Sequence, residues 1–314
     1  MVNCIGRSSD SVVADDKTMA DSPILDHTTG RYLRVFFNIT TPPASSFLYY
    51  QWAGREPVGR EHLREPEMLN YFMYRAAAGA SSQTASLTEI PTLDHWSCHS
   101  RGEELRGGVG ILQRSKDEIL VVDLRWMCSR KGTAQLRLLR FGRPEWEFMP
   151  KLPIIAVDED GKEDSKTYLD FYHGTSVVPV GDRFLCWFDY CRGFLIYDLV
   201  AESQKLWFLP LPKVSNGKHI IGFIPDSQSM CGVGANTVRF VSIDPRWGSS
   251  GSGRSTWRAF TVTTWKLSLE TNAPLIWFKD TVLDCEELWA HPGYEGLPRV
   301  LPKFPIVHSI SFNR

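Results

Sequence analysis

Short apolar runs, separated by polar clusters that favour turns, dominate the chain. Runs rich in Val, Ile, Phe, Tyr and Trp lie between clusters of Gly, Pro and Asp, and long stretches with helical periodicity are scarce. Strands of about four to eight residues produce this pattern, because successive side chains of a strand point to opposite faces of a sheet. The pattern therefore predicts an all-β protein.

One strand ending recurs along the chain. The segments LTEIP, WEFMP and LWFLP end at Pro91, Pro150 and Pro210, about 60 residues apart, and a weaker copy, PLIWFKD, lacks the proline. About four strands fit into each of the intervals 92–150 and 151–210, as a propeller blade requires. We therefore expect a β-propeller-like array of four-stranded antiparallel blades that is incomplete at the C-terminus.

Two segments have the composition of surface loops. Residues 158–166, DEDGKEDSK, are too highly charged to be buried, and residues 247–255, WGSSGSGRS, are typical of a flexible Gly/Ser connection. Loop insertions of this kind explain a repeat longer than the roughly 40 to 50 residues of a minimal blade.

A pair of cysteines lies in the most apolar of these runs, FLCWFDYCRGFLIYDL. Both faces of FLCWF are apolar, which is typical of a strand covered on both sides. If Phe188 pairs with Phe194, Cys186 lies opposite Ile196 and Cys191 lies at the hairpin tip. The Cα atoms of the two cysteines are then close to or beyond the disulfide limit of about 7 Å. We expect two unlinked structural thiols.

The N-terminal segment and the cysteine content bear on domains and location. Residues 1–30 have no apolar run of signal-peptide length and include several aspartates, which argues against a signal or transit peptide. We expect a disordered segment 1–30 before one domain, 31–314. No stretch is long and apolar enough for a membrane span. Seven cysteines, an odd number without framework spacing, suit a reducing compartment. These features predict a cytoplasmic or nuclear protein that has no membrane partner.

The charge distribution argues against nucleic acid as a partner. The net charge is -1, and Lys and Arg are interspersed with Asp and Glu instead of forming the basic face that phosphate binding needs. The chain has 11 Trp and an aromatic content of 12%, and these side chains favour packing between broad surfaces.

The order of several segments resembles a known family. EILVVDLRW, VVPVGDRFLCWFDYCRGFLIYDL, LWFLPLP, FTVTTWKLSLE and ELWAHPGYEGLPRVLPKFPIV occur in this order and are similar to plant proteins of domain-of-unknown-function family 1618. The resemblance runs from about residue 41 to Val307. It implies a fold like the β-propeller domains associated with F-box proteins, and it implies no established catalytic residues.

Two motifs have the residue types of a ligand site but lack the flanking structure or the further ligands that such a site needs. Gly248–Ser255 has the spacing of a phosphate-binding loop, but Arg254 replaces the lysine, and a strand follows in place of a helix. Asp94, His95, Cys98 and His99 are zinc-ligand types, but a second ligand pair is not nearby in sequence, which favours a polar loop. A Ser-His-Asp set cannot be assembled from spacing. We predict no catalytic residue, no cofactor and no metal.

Loops that carry aromatic and charged side chains are the best candidates for an interaction site, because such side chains give large contact areas at small entropic cost. A structural role as a crossing between blades is the alternative. The candidates are Asp189, Tyr190, Arg192, Arg246, Trp247, Trp289, His291, Tyr294 and Arg299.

Two functions are consistent with these features. The first is an uncharacterised, non-catalytic protein–protein interaction module that binds an unidentified protein partner and self-associates through unclosed blade edges. The alternative is a hydrolase-like enzyme with its site at the mouth of the propeller channel. We favour the interaction module because we find no catalytic motif.

Overall fold

The chain divides into two compact units, residues 1–99 and 100–314. The computed structural model describes residues 7–8, 18–23, 30–38, 47–53, 71–76, 84–91, 104–127, 132–158, 160–163, 176–190, 192–212, 228–249, 255–270 and 273–299. The described residues are nearly all β, as the sequence predicts. None of the described helices is long and apolar enough to cross a membrane.

The first unit contains two small sheets. The first sheet has the strand order β1-β4-β3-β2, and β5 and β6 form a separate hairpin. The described core of this unit includes Ala20, Val35 and Leu87. The strands are β1 Arg7–Ser8, β2 Ala20–Asp21, β3 Tyr32–Asn38, β4 Phe47–Ala53, β5 Tyr71–Arg75 and β6 Ser86–Ile90.

Among the described residues, β5 and the strand before Pro91, β6, pair only with each other. The strands Arg7–Ser8 and Ala20–Asp21 lie within the segment 1–30. The predicted boundaries 1–30 and 31–314 stay a prediction.

The described strands of the second unit form three consecutive meanders of four antiparallel strands. The strands predicted for 92–150 and 151–210 are confirmed. The first meander is β7 Glu104–Gln113, β8 Ile119–Met127, β9 Thr133–Arg140 and β10 Trp146–Ala156. The second is β11 Ser176–Val180, β12 Phe184–Asp189, β13 Gly193–Asp198 and β14 Leu206–Pro210. The third is β15 Gln228–Val233, β16 Thr237–Ser249, β17 Ser255–Ser268 and β18 Phe278–Asp284.

A parallel pairing joins the first two meanders. The end of β10 pairs with β14, with Ile154 opposite Leu206, which produces one eight-stranded sheet in the order β11-β12-β13-β14-β10-β9-β8-β7. Pro150 therefore lies inside β10 and does not end it, contrary to the sequence prediction. A register shift between Met149 and Leu152 accommodates this proline, which cannot donate a ladder hydrogen bond.

The eight-stranded sheet folds back until it is nearly closed. The indole Nε1 of Trp187 donates a hydrogen bond to the carbonyl oxygen of Gly108, at 3.0 Å. A Cβ atom on Gly110 would lie only 2.7 Å from Val177 Cγ1, so glycine is required for this approach of β7 to β11. The two meanders enclose a core that includes Leu112, Leu124, Leu136, Leu185, Trp187, Leu195 and Tyr197.

The second meander is buried on its other face as well. There it packs against the third meander through a core that includes Phe188, Phe194, Met230, Phe240, Trp265 and Leu267. Every residue of β12 is buried. The prediction of a strand covered on both faces is therefore confirmed.

The predicted hairpin register is also confirmed. Phe188 lies opposite Phe194, and Cys186 lies opposite Ile196. Cys186 is a free, buried thiol. Cys191 lies outside the described residues.

The first predicted loop is exposed as expected at most of its described charged residues, whereas the second is shorter than predicted. In the first, Asp160, Lys162 and Glu163 are exposed, but Gly161 packs against the side chains of Ile276 and Pro274. Residues 159 and 164–166 lie outside the described ranges. The second prediction is wrong at its ends, because β16 continues to Ser249 and β17 begins at Ser255, with these two residues paired. Residues 250–254 lie outside the described part.

A short helical segment after β18 was missed. Helix α1, Cys285–Ala290, begins with a capping box between Asp284 and Glu287, and a 3-10 helix follows at Pro292–Tyr294. The sequence signal was Asp284 followed three residues later by a glutamate.

Candidate interaction surface

Three of the predicted interaction residues lie at the tip of the β12–β13 hairpin. Asp189 is buried and pairs with Gly193, while Arg192 is exposed. The backbone of Arg192 closes the turn, because its N–H donates to the Asp189 carbonyl oxygen at 3.0 Å. Of these two side chains, Arg192 is the one that a partner can reach.

Tyr190, at the same tip, connects the second meander to the third. Its hydroxyl hydrogen-bonds to the side chains of Ser176 and Ser229 and to the backbone of Met230, and its ring stacks on Phe188. Burial raises the pKa of the phenol. The hydroxyl is therefore engaged within the unit.

A polar row crosses the third meander on the face that packs against the second. Gln228, Ser242 and Thr263 lie opposite one another on neighbouring strands, one step beyond the apolar row that contains Phe240. All three polar side chains are buried. Ser242 Oγ donates to Asp244 Oδ2 at 3.0 Å, whereas Gln228 Oε1 has no hydrogen-bond partner in the described part of the chain. The face thus changes from apolar to polar toward the end that carries Arg246.

Arg246 is fixed by the residue that begins helix α1. Its guanidinium forms an ion pair with Asp284, and the Asp284 carboxylate also accepts the N–H of Glu286 at 3.0 Å. Backbone pairing places Trp247 opposite Trp257, while the side chain of Trp247 lies outside the described atoms. The ion pair connects the long β16–β17 hairpin to the segment 284–299.

The remaining candidates lie within residues 284–299, which we call the 284–299 segment. Trp289 packs edge-on against Phe260, with ring centroids 6.0 Å apart, and its buried Nε1 has no hydrogen-bond partner among the described residues. His291 Nδ1 accepts the N–H of Gly293, and the Tyr294 hydroxyl donates to the Pro298 carbonyl oxygen. Arg299 is exposed. The structure thus brings Arg246, Trp289, His291, Tyr294 and Arg299 onto adjoining elements, and it leaves Asp189, Tyr190 and Arg192 on a different hairpin.

Sequence reasoning missed the exposed apolar residues on β18 and in this segment. Phe278, Val282 and Leu297 are 60%, 48% and 57% exposed. The first two lie on β18, which has no strand on its outer side among the described residues. Of these three residues, the sequence analysis touched only on Phe278, which lies in PLIWFKD, the weaker copy of the recurring strand ending.

The described residues bear on metal binding and on cysteine reactivity. No group of three or more His, Cys, Asp or Glu in the described ranges is placed to hold a metal ion, and Asp94, His95, Cys98 and His99 lie outside those ranges. Burial raises the pKa of the Cys186 thiol and raises that of Cys231 to about 11. A nucleophilic cysteine needs a lowered pKa, which is the opposite direction.

Residues 187–313 match the model of a family described as Protein of unknown function (DUF1618). The matched part runs from within β12 through the third meander and the 284–299 segment. No curated protein and no solved structure matches the chain.

Proposed function

We propose that the chain is a non-catalytic protein-binding module, with the second unit built as part of a β-propeller-like array. The observation that carries this proposal is the concentration of exposed apolar side chains and two exposed arginines around β18 and the 284–299 segment.

The packing of the meanders supports the propeller-like arrangement. Propeller blades are four-stranded sheets that pack face to face around an axis, with their first strands innermost. In the second unit, the first strands β7, β11 and β15 are neighbours. Glycines allow these contacts, since a Cβ on Gly232 would lie 2.4 Å from the Pro179 carbonyl oxygen.

The chemistry of the surface supports a protein as the ligand. Aromatic residues and arginine are enriched at protein interfaces, and the apolar part of an interface is usually bordered by polar residues. Here Phe278, Val282 and Leu297 are the apolar part, and Arg246 and Arg299 are the charged border.

The hydrolase alternative has less support from the described residues. Ser242 and Asp244 are hydrogen-bonded to each other, which is a feature of some catalytic pairs. However, Ser242 is fully buried in the packed face between two meanders. A substrate could not reach it without separating these sheets.

We also infer a cytoplasmic or nuclear location. The free thiols of Cys186, Cys231 and Cys285 support it, because a reducing compartment keeps thiols unlinked. We further propose that the chain is related to the plant proteins and to the F-box-associated propeller domains that its sequence resembles.

Affinity purification with quantitative mass spectrometry tests the proposed function. The bait is the full chain, compared with a triple variant, Arg246→Ala, His291→Ala and Arg299→Ala. The control bait carries Lys116→Ala, an exposed residue of the β7–β8 turn. We expect a set of proteins enriched with the wild-type and control baits and lost with the triple variant. Equal enrichment with all three baits would contradict the proposed surface.

A further inference from the structure

A cavity of about 390 Å³ lies at the opposite end of the β12–β13 hairpin from Asp189. Its walls come from the start of β12, the end of β13, β14 and the segments that follow β10 and β17. The apolar lining is Val157, Phe184, Ile196, Trp207, Leu269 and Leu275. A volume of a few hundred cubic ångströms is in the range of small-molecule sites.

Backbone pairing fixes these walls in place. Ile196 lies opposite Trp207 in the β13–β14 ladder. The N–H of Val157 donates to the Phe208 carbonyl oxygen at 2.9 Å. The N–H of Leu269 donates to the Asn236 carbonyl oxygen at 2.7 Å. These backbone pairings hold several of the lining residues in place.

The rim of the cavity contains one cation without a carboxylate partner. The Lys205 ammonium lies 4.3 Å from the centroid of the Trp207 ring, and no described carboxylate forms an ion pair with it. The cavity-lining carboxylate of Asp198 is already neutralised, because Arg183 binds both of its oxygens, at 2.8 and 2.6 Å. Glu270, also on the rim, is exposed and accepts an amide N–H from Asn236.

We propose that this cavity binds a small molecule with an apolar, preferably aromatic, body and an anionic group. The body packs against Phe184, Ile196 and Trp207, and the anionic group takes charge-assisted hydrogen bonds from Lys205. The site is separate from the proposed protein-binding surface, so failure of one proposal does not affect the other.

Three naphthalene probes that differ in charge test the proposal by isothermal titration calorimetry on the full chain. They are 2-naphthoate, the neutral 2-naphthamide and the cationic 2-naphthylmethylamine. We expect saturable binding of 2-naphthoate, about fivefold tighter than the amide because an exposed ion pair contributes up to about 1 kcal/mol. The amine should bind more weakly than the amide.

Two variants and a control locate the site. Lys205→Met keeps the length of the side chain but removes its charge, so it should abolish the preference for naphthoate over naphthamide. Ala273→Phe fills the cavity from its half-buried lining position and should abolish binding of both probes. Lys116→Met, in an exposed turn, should bind as the wild type does. Circular dichroism confirms that each variant is folded.

Several results would overturn the proposal. They are the absence of saturable naphthoate binding, tighter binding of the amine than of naphthoate, and an unchanged anion preference in the Lys205→Met variant. Since this last variant changes only a rim residue, it remains informative even if Ala273→Phe does not fold.

Discussion

Trp187 connects the two ends of the nearly closed sheet. Its ring is fully buried between the first two meanders, and its Nε1 reaches across to the Gly108 carbonyl oxygen. The aromatic residues at neighbouring positions point to the other face, where Phe188 stacks on Phe194 with centroids 4.8 Å apart. At the residue scale, the second meander is therefore held by large side chains on both faces.

Replacing Trp187 with alanine should destabilise the fold by about 3 to 5 kcal/mol, because it leaves a large cavity and an unpaired Gly108 carbonyl oxygen. Urea unfolding followed by circular dichroism measures this loss. The control is Phe148→Ala. Because Phe148 is 50% exposed, this substitution should lower the free energy of unfolding only slightly. Equal shifts of the two unfolding midpoints would contradict the described core.

The buried thiols make stability fall at alkaline pH. Burial raises the pKa of Cys231 from 9.0 to about 11, and it also raises that of Cys186. The unfolded chain therefore releases these protons first, and the free energy of unfolding falls as the pH rises above about 9, until the folded Cys231 itself ionises near pH 11.

Urea midpoints at about pH 8 and about pH 10 test this dependence. The double variant Cys186→Ala and Cys231→Ala should lose less stability over this interval than the wild type. The same loss in both proteins would show that the two thiols do not contribute.

The residue-scale features were the most predictable from the sequence. The two apolar faces of FLCWF predicted a strand buried on both sides, and the pairing of Phe188 with Phe194 predicted the Cys186–Ile196 register. Tyr190 was predicted as an interaction residue, but the structure places its hydroxyl against the third meander. Sequence alone does not report which distant strands approach a hairpin tip.

At the scale of elements, Asp284 has two roles, since it caps helix α1 and pairs with Arg246. The prediction compares three variants. Asp284→Ala should cost about 1 kcal/mol through loss of the cap. Asp284→Asn should cost less, because asparagine also caps helices well, and Arg246→Ala should cost at most about 1 kcal/mol because the pair is largely exposed. Urea unfolding measures all three, and a larger loss for Asn than for Ala would contradict the capping role.

Substitution of Gly161 tests whether its loop packs against Ile276 in the second unit. Its φ is +78°, and an added Cβ would lie 3.0 Å from Ile276 Cγ1. Gly142 has φ +89° with no atom within 4 Å of such a Cβ, so it reports backbone strain alone, about 1 kcal/mol. Gly161→Ala should therefore lower the thermal midpoint more than Gly142→Ala does. Equal midpoints would show that the loop can move away from Ile276.

Some elements could not be predicted, for identifiable reasons. The parallel pairing of β10 with β14 connects residues about 50 positions apart and leaves no local signal. Pro150 suggested a strand end, but a register shift lets β10 continue past it. The short helix α1 lacks a long periodic run, so only its capping box indicated it.

At the scale of the whole molecule, the third meander ends the described stack. Its last strand, β18, presents Phe278 and Val282 to solvent. Exposed strand edges pair readily with other chains, although the register shift next to β18 and its charged residues reduce this tendency.

The purified protein should consequently self-associate or require a partner for solubility. Sedimentation velocity at micromolar concentration should show species larger than the monomer. Val282→Lys, which places a charge on the exposed edge strand, should shift the distribution toward the monomer. A wild-type protein that sediments only as a monomer, unchanged by the substitution, would contradict this prediction.

Site-specific photo-crosslinking tests the proposed protein-binding surface most directly. A benzophenone amino acid is placed at Tyr294, on the 284–299 segment, or at Lys116, in the exposed β7–β8 turn, and each protein is irradiated in cell extract. We predict discrete adducts, identifiable by mass spectrometry, from position 294, and none of these adducts from position 116. The same adducts from both positions, or none from position 294, would contradict a protein-binding role for this surface.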